Sequence, residues 1–175
     1  MRRLLQCLES YPSTFENEII TLRSKGYEPV FAKDIPEIIN GNQKPEKKPV
    51  VLTMDDGYKD FYTNALPVII RQKALDSGYV EVGSHIVHHT SLTNVSSKNA
   101  EYEIKESKRM LEEMFNTKVL PFAYPYGRSD KAIQKMVKNA GYTNAVTEIF
   151  GTTQRLDNSF FLSRINAGNF KNVFK

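Results

Sequence analysis

Val50-Val51-Leu52-Thr53-Met54-Asp55-Asp56-Gly57-Tyr58 joins an apolar, β-branched run to two carboxylates and a glycine. A short apolar run bounded by turn residues reads as a buried strand. In α/β proteins chemistry collects where such a strand exits at its carboxyl end. Adjacent side chains on a strand point to opposite faces, so Asp55 and Asp56 can share a site only if the strand stops there. Gly57 permits the sharp turn this requires. Taken alone, the Asp-Gly pair is equally well an ordinary surface turn. The histidines downstream shift the balance.

Working outward, the pattern alternates strands and helices. Ser13-Thr14-Phe15-Glu16 has capping-box form, with Ser13 as N-cap of a helix that stops at Gly26. Tyr27–Phe31 reads as a strand, and Asp34–Asn40 as a short helix closed by Gly41. After the central strand, residues 61–76 are expected to be helical and Tyr79–Val82 to form a strand. Ser96 or Ser97 caps a long helix whose apolar face is Ala100, Ile104, Leu111, Met114 and Phe115. Val119–Tyr124 is a strand, Pro125-Tyr126-Gly127 a rigid turn, and Ser129–Ala140 a helix. Thr143–Ile149 and Phe160–Ile165 are the last strands. This alternation argues for a parallel sheet or a β/α barrel. The Asp pair, the histidine segment and the Pro-Tyr-Gly turn each follow a strand, which places them on one rim.

The chain of 175 residues has room for one domain with a sizeable core. Its net charge of +4 comes from basic residues scattered among acids, and the cluster at Lys44–Lys48 reads as a solvated loop. Nucleic-acid binding is not expected. A single cysteine, Cys7, excludes an intrachain disulfide and a Cys-rich zinc site. The start, Met1-Arg2-Arg3-Leu4-Leu5-Gln6-Cys7, resembles the basic beginning of an export signal, but its apolar part is far too short for a signal peptide or a membrane span. Any export element or anchor is expected to lie outside this chain, and a monomer is expected.

All three histidines fall between Ser84 and Thr90. His85 and His89, four residues apart, would share one face of a helical turn, a spacing suited to two imidazoles on one metal ion. Two such histidines are more often a satisfied surface pair. Here they sit level with a carboxylate pair on the neighbouring rim. One aspartate and two histidines would leave a divalent ion with an open position for water, the other aspartate being free to act as a base. A closed structural site would need a fourth ligand, and none is evident.

Thr53-Met54-Asp55-Asp56-Gly57 resembles the first motif of the polysaccharide deacetylases of carbohydrate esterase family 4, His85-Ile86-Val87-His88-His89 the second, and Pro125-Tyr126-Gly127 the core of the third. The resemblance implies a single α/β domain over residues 1–175, a distorted (β/α) barrel that is either complete or short of a portion, and hydrolysis of N-acetyl or O-acetyl groups on a sugar polymer. Carried over by position, Asp56, His85 and His89 hold a divalent metal, with zinc favoured over cobalt, nickel or iron. Asp55 is the base, and the backbone N–H of Tyr126 faces the oxyanion. Tyr124, Pro125, Tyr126 and Arg164 are the expected substrate contacts, and His88 is a bystander. The implied partner is an acetylated extracellular or cell-envelope polysaccharide.

Three departures stand out. The family's third motif usually opens with an arginine that orients the base, and Ala123 occupies that position. No histidine follows His89 to protonate the leaving amine. Both departures resemble the branch that acts on poly-β-1,6-N-acetylglucosamine, and an absent acid costs about 10²–10⁴-fold in rate. Asp56 and His85 are also only 29 positions apart, fewer than the family usually has. Two helix ends abut at Lys73-Ala74, where a segment omitted from the numbering is expected.

Overall fold

The computed structural model describes residues 3–6, 12–56 and 81–174. Among the described residues, six strands, β1 (Arg3–Gln6), β2 (Tyr27–Pro29), β3 (Lys48–Thr53), β4 (Pro121–Ala123), β5 (Asn144–Phe150) and β6 (Leu162–Asn166), form one sheet in the order β2-β3-β1-β6-β5-β4. Every described pairing is parallel. Ser84 extends the sheet past β4 through a parallel bridge to Phe122. The carboxyl ends of the strands therefore share one rim. The helices are α1 (Pro12–Ser24), α2 (Ile35–Asn40), α3 (Ser97–Phe115), α4 (Lys131–Asn139) and α5 (Phe170–Val173). No described helix is long and apolar enough to cross a membrane.

Side-chain parity shows that the sheet curls. Val51, Ala123, Val146 and Leu162, from β3, β4, β5 and β6, belong to one buried cluster with Ala32 and Ile35. In a flat sheet of this order β3 and β4 would stand four strand spacings, roughly 19 Å, apart. A shared cluster requires those strands to wrap around it, as in a distorted barrel. Residues one step along point outward. Val50 and Ile165 pack with Leu22, Tyr27, Phe170 and Phe174, whereas Phe122 and Ala145 pack against Ala100, Ile104, Ile133 and Val137 of α3 and α4. Burial on both faces explains why β3 reads as a continuous apolar run. Within the curl, Asn144 Nδ2 donates to Ala32 O at 2.8 Å, tying β5 to the segment after β2.

Local signals set most boundaries. Ser96 Oγ accepts from Asn99 N at the start of α3. Asp130 Oδ1 accepts from Ile133 N at 2.8 Å, so α4 begins at Lys131. Gly41 ends α2 with φ 85°. Four expectations need correction. Arg3–Gln6, read as a leader-like start, is a strand between β3 and β6. Helix α1 begins at Pro12, so Ser13 lies inside it and does not cap it. Met114 is 46 % exposed because the helix end projects beyond the core. Glu81 and Val82 are not in a strand. The expected helix over 61–76 and the Lys73-Ala74 junction lie outside the described residues.

Gly127 is the tightest of the described glycines. Its φ is 61°, and a Cβ there would lie 2.4 Å from Glu148 N and 2.8 Å from Glu148 Cβ. The turn after β4 thus rests directly on the β5 backbone. Gly127→Ala should cost on the order of 2–3 kcal/mol, lowering the melting temperature by roughly 5–10 °C for a chain of this size. A thermal melt unchanged within about a degree would contradict this packing.

Candidate metal centre

Asp56, His85 and His89 converge. Asp56 Oδ1 lies 3.1 Å from His85 Nε2 and 3.0 Å from His89 Nε2, and the three ligand atoms all fall within 4.8 Å of one another. The tautomer of His85 sharpens the point. Its Nδ1 sits 2.9 Å from Ala123 O; a carbonyl only accepts, so Nδ1 carries the proton and Nε2 presents a lone pair. A lone pair facing a carboxylate oxygen at 3.1 Å is repulsive unless a cation, metal or proton, sits between them. Edges near 3 Å also match two ligands about 2.0–2.1 Å from one ion, close to a right angle. The donor set is the two-histidine, one-carboxylate type that leaves positions open. The residues fit a divalent ion.

The chain reaches this geometry without a helix. Asp56, Ile86, His89 and Tyr126 have φ of 52°, 62°, 47° and 57°, in the left-handed region that non-glycine residues avoid. The sharp turn after β3 therefore falls on Asp56 itself, and Gly57 lies outside the described residues. Residues 85–89 form an irregular loop, which corrects the expected helical turn. The loop is anchored at its start, where Ser84 N donates to Pro121 O at 3.0 Å and Ala123 N to Ser84 O at 2.8 Å. It is held again by α3: Ser107 Oγ lies 2.8 Å from Ser84 Oγ. Glu103 Oε2 accepts from Val87 N and His88 N, each at 2.9 Å, and its Oε1 from His88 Nδ1 at 2.6 Å. Burial would raise the Glu103 carboxyl, but these bonds from His88 and Val87 outweigh it and hold it below the usual carboxylate range. His88 therefore points away from the metal set.

Asp55 turns to a different partner. Arg164 Nη1 donates to Asp55 Oδ1 at 2.8 Å and Nη2 to Oδ2 at 2.6 Å. The same guanidinium donates through Nε to Thr147 O at 2.7 Å and through Nη1 to Thr53 Oγ1 at 3.2 Å. Arg164 is 1 % exposed and the Asp55 side chain 7 %. The expected substrate contact at Arg164 is therefore corrected: its donors are spent inside the protein. It is two residues beyond inward-facing Leu162, so it faces the axis of the curl. From there its guanidinium reaches Asp55 from β6, whereas the position expected to carry an arginine on β4 is Ala123.

The remaining expected contacts divide. Tyr124 is fully buried in the outer core, its hydroxyl donating to Phe160 O at 3.0 Å, and burial raises its phenol far above the ordinary range. It is a packing residue and offers no wall to a sugar, and Pro125 is likewise buried. Tyr126 is half exposed, and its ring centroid lies 4.9 Å from that of His89. Its hydroxyl donates to His89 O at 3.4 Å. With His85 and His89 in the cluster and His88 on Glu103, none of the three histidines is left to serve as a separate acid.

Residues 70–145 match the family model described as Polysaccharide deacetylase, a span that includes His85, His89 and Tyr126. YxkH of Bacillus subtilis (strain 168), which carries a polysaccharide deacetylase name, is 25% identical over 175 aligned residues, 86% of this chain and 63% of that protein. The poly-β-1,6-N-acetyl-D-glucosamine N-deacetylase of Escherichia coli (strain K12) is 40% identical over 57 residues, 33% of this chain and 8% of that protein. The chain thus spans less than two thirds of either curated relative. Among solved structures, Streptococcus pyogenes deacetylase PplD, in complex with acetate, superposes with a TM-score of 0.83 at 20% identity, covering 99% of this chain and 98% of that one. IcaB from Ammonifex degensii superposes with a TM-score of 0.76 at 19% identity, covering 99% and 96%; both likenesses bear on the fold. Over residues 70–145 the chain is thus similar to the polysaccharide deacetylases, and its fold is like that of solved deacetylase structures.

Proposed function

We propose that the chain is the catalytic domain of a metal-dependent hydrolase that removes N-acetyl groups from an N-acetylglucosamine-containing polysaccharide of the extracellular space or cell envelope. The observation that carries the reading is the convergence of Asp56, His85 and His89 on one point beside an aspartate gripped by a buried arginine. The E. coli relative supports the choice of glycan, since its printed name is a de-N-acetylase of poly-β-1,6-N-acetylglucosamine. The chain is taken to work as a monomer.

Asp56, His85 and His89 would hold the ion, with zinc the first choice for an imidazole and carboxylate donor set. A bound divalent ion would polarise the acetyl carbonyl and acidify water. Asp55 takes the proton of the water that attacks the carbonyl carbon. Each of its oxygens accepts from Arg164. The bidentate grip fixes the plane of the carboxylate, which a flexible single-point partner would not do. The N–H of Tyr126, on a backbone turned by its φ of 57°, is assigned to the developing oxyanion. The C–N bond then breaks, giving acetate and a free amine. With no histidine spare for the amine, turnover is expected to be slow unless another group supplies the proton.

Three outcomes test this reading. Removing metal with a chelator should abolish acetate release from acetylated β-1,6-linked glucosamine oligomers, and added Zn²⁺ or Co²⁺ should restore it. Acetate released at full rate after verified metal removal would refute metal dependence. Asp55→Asn should lower kcat by about 10²–10⁴-fold while metal content is retained; unchanged turnover would remove Asp55 as base. Arg164→Ala removes the guanidinium from a buried carboxylate and should cost about 3–5 kcal/mol in a denaturant titration. Arg164→Lys, which keeps the charge but loses the fork, should keep the fold yet lose at least about tenfold in kcat.

A further inference from the structure

Glu103 is a buried carboxylate on the inward face of α3, set between Ala100 and Ile104 of the helix core. Its side chain touches none of the presumed ligands directly. It engages two of the three residues between them: its oxygens accept from Val87 N, His88 N and His88 Nδ1. The loop it grips contains two non-glycine residues with positive φ, Ile86 at 62° and His89 at 47°. Such conformations cost of order 1–3 kcal/mol each and persist only where surroundings impose them. A second tie from the same helix, Ser107 to Ser84 at 2.8 Å, fixes the loop one residue before His85. The exposed His88 side chain adds only the third of Glu103's bonds. The two amide bonds are the ones that define the backbone path from His85 to His89.

We infer that Glu103 is a positioning residue for the metal centre, a carboxylate brace on α3 that holds the His85–His89 loop in its strained, ligand-presenting conformation. This rests on the reading of Asp56, His85 and His89 as a metal site. Without the brace the loop relaxes toward ordinary backbone angles, and His89, itself at a left-handed position, leaves the point it shares with His85 and Asp56. The effect belongs to metal binding, not to proton transfer. Partners that orient ligands typically contribute 10–100-fold to metal affinity.

The test is a titration of metal-free protein with Co²⁺, followed by visible absorption, together with circular dichroism and a thermal melt of each metal-free variant. Glu103→Ala should fold but bind Co²⁺ about 10–100-fold more weakly, with an altered absorption band. Glu103→Gln keeps a carbonyl oxygen for the two amides and should restore affinity to within a few fold. His88→Ala, which keeps both amide bonds, should also stay within a few fold. A purely structural role would lower the melting temperature of Glu103→Ala while leaving Co²⁺ affinity of the folded protein intact, and that result overturns the brace. If Glu103→Ala does not fold, Glu103→Asp, one methylene too short to reach both amides, decides in the same way: wild-type affinity overturns the proposal, and a loss of about tenfold or more supports it. Failure of the wild-type protein to bind Co²⁺ would instead remove the metal reading itself, and the brace with it.

Discussion

A single carboxylate oxygen, Asp56 Oδ1, faces two imidazole nitrogens at 3.1 and 3.0 Å. In a neutral His85 the facing nitrogen is the one without a proton, because Nδ1 donates to Ala123 O. Such a meeting of acceptors is stable only around a positive charge, and much of the described structure serves to enforce it. Parallel strands bring the Asp pair and the histidine loop to one rim. Left-handed residues at Asp56, Ile86 and His89 aim the side chains inward. Helix α3 holds the histidine loop from behind through Glu103 and Ser107. Strain at these positions is offset by the packing of α3 on the sheet, where Ala100 and Ile104 are almost wholly buried.

The Asp55–Arg164 pair shows why a curled sheet can redistribute a role among strands. Every inward-facing position, whichever strand carries it, points toward the same axis. Leu162 and Arg164 share the inner face of β6, as Val51 and Thr53 share that of β3. A guanidinium placed on β6 can therefore reach Asp55, which follows β3, although 109 residues separate them in sequence. With an alanine on β4 at the usual arginine position, Asp55 still has a guanidinium partner. The pair is buried and bidentate, so its contribution is to geometry more than to net stability.

What could be read in the sequence was what local chemistry encodes. The apolar run ending in Asp55-Asp56, the caps at Ser96 and Gly41, and the rigid turn at Pro125–Gly127 each carry their instruction within a few residues. The leader-like reading of Arg3–Gln6 failed because a four-residue strand has no periodicity of its own, and pairing with β3 and β6 defines it. The helical turn at His85–His89 failed because a spacing of four fits a strained loop as well as a helix. Other signals were present and unused. Tyr124 is one step past inward-facing Ala123, so strand parity sends it to the outer core. Glu103 sits on the apolar stripe of α3, and an acid there needs buried donors. Arg164 as partner of Asp55 could not be found by spacing at all, because only the closed curvature of the sheet brings β6 to the end of β3.

A crystal structure of protein loaded with Zn²⁺, with anomalous differences measured at the zinc edge, tests the central claim most directly. The account predicts one anomalous peak about 2.0–2.2 Å from Asp56 Oδ1, His85 Nε2 and His89 Nε2, with Arg164 still bonded to both oxygens of Asp55. A peak held by other residues, or none at this point in zinc-saturated crystals, would contradict it.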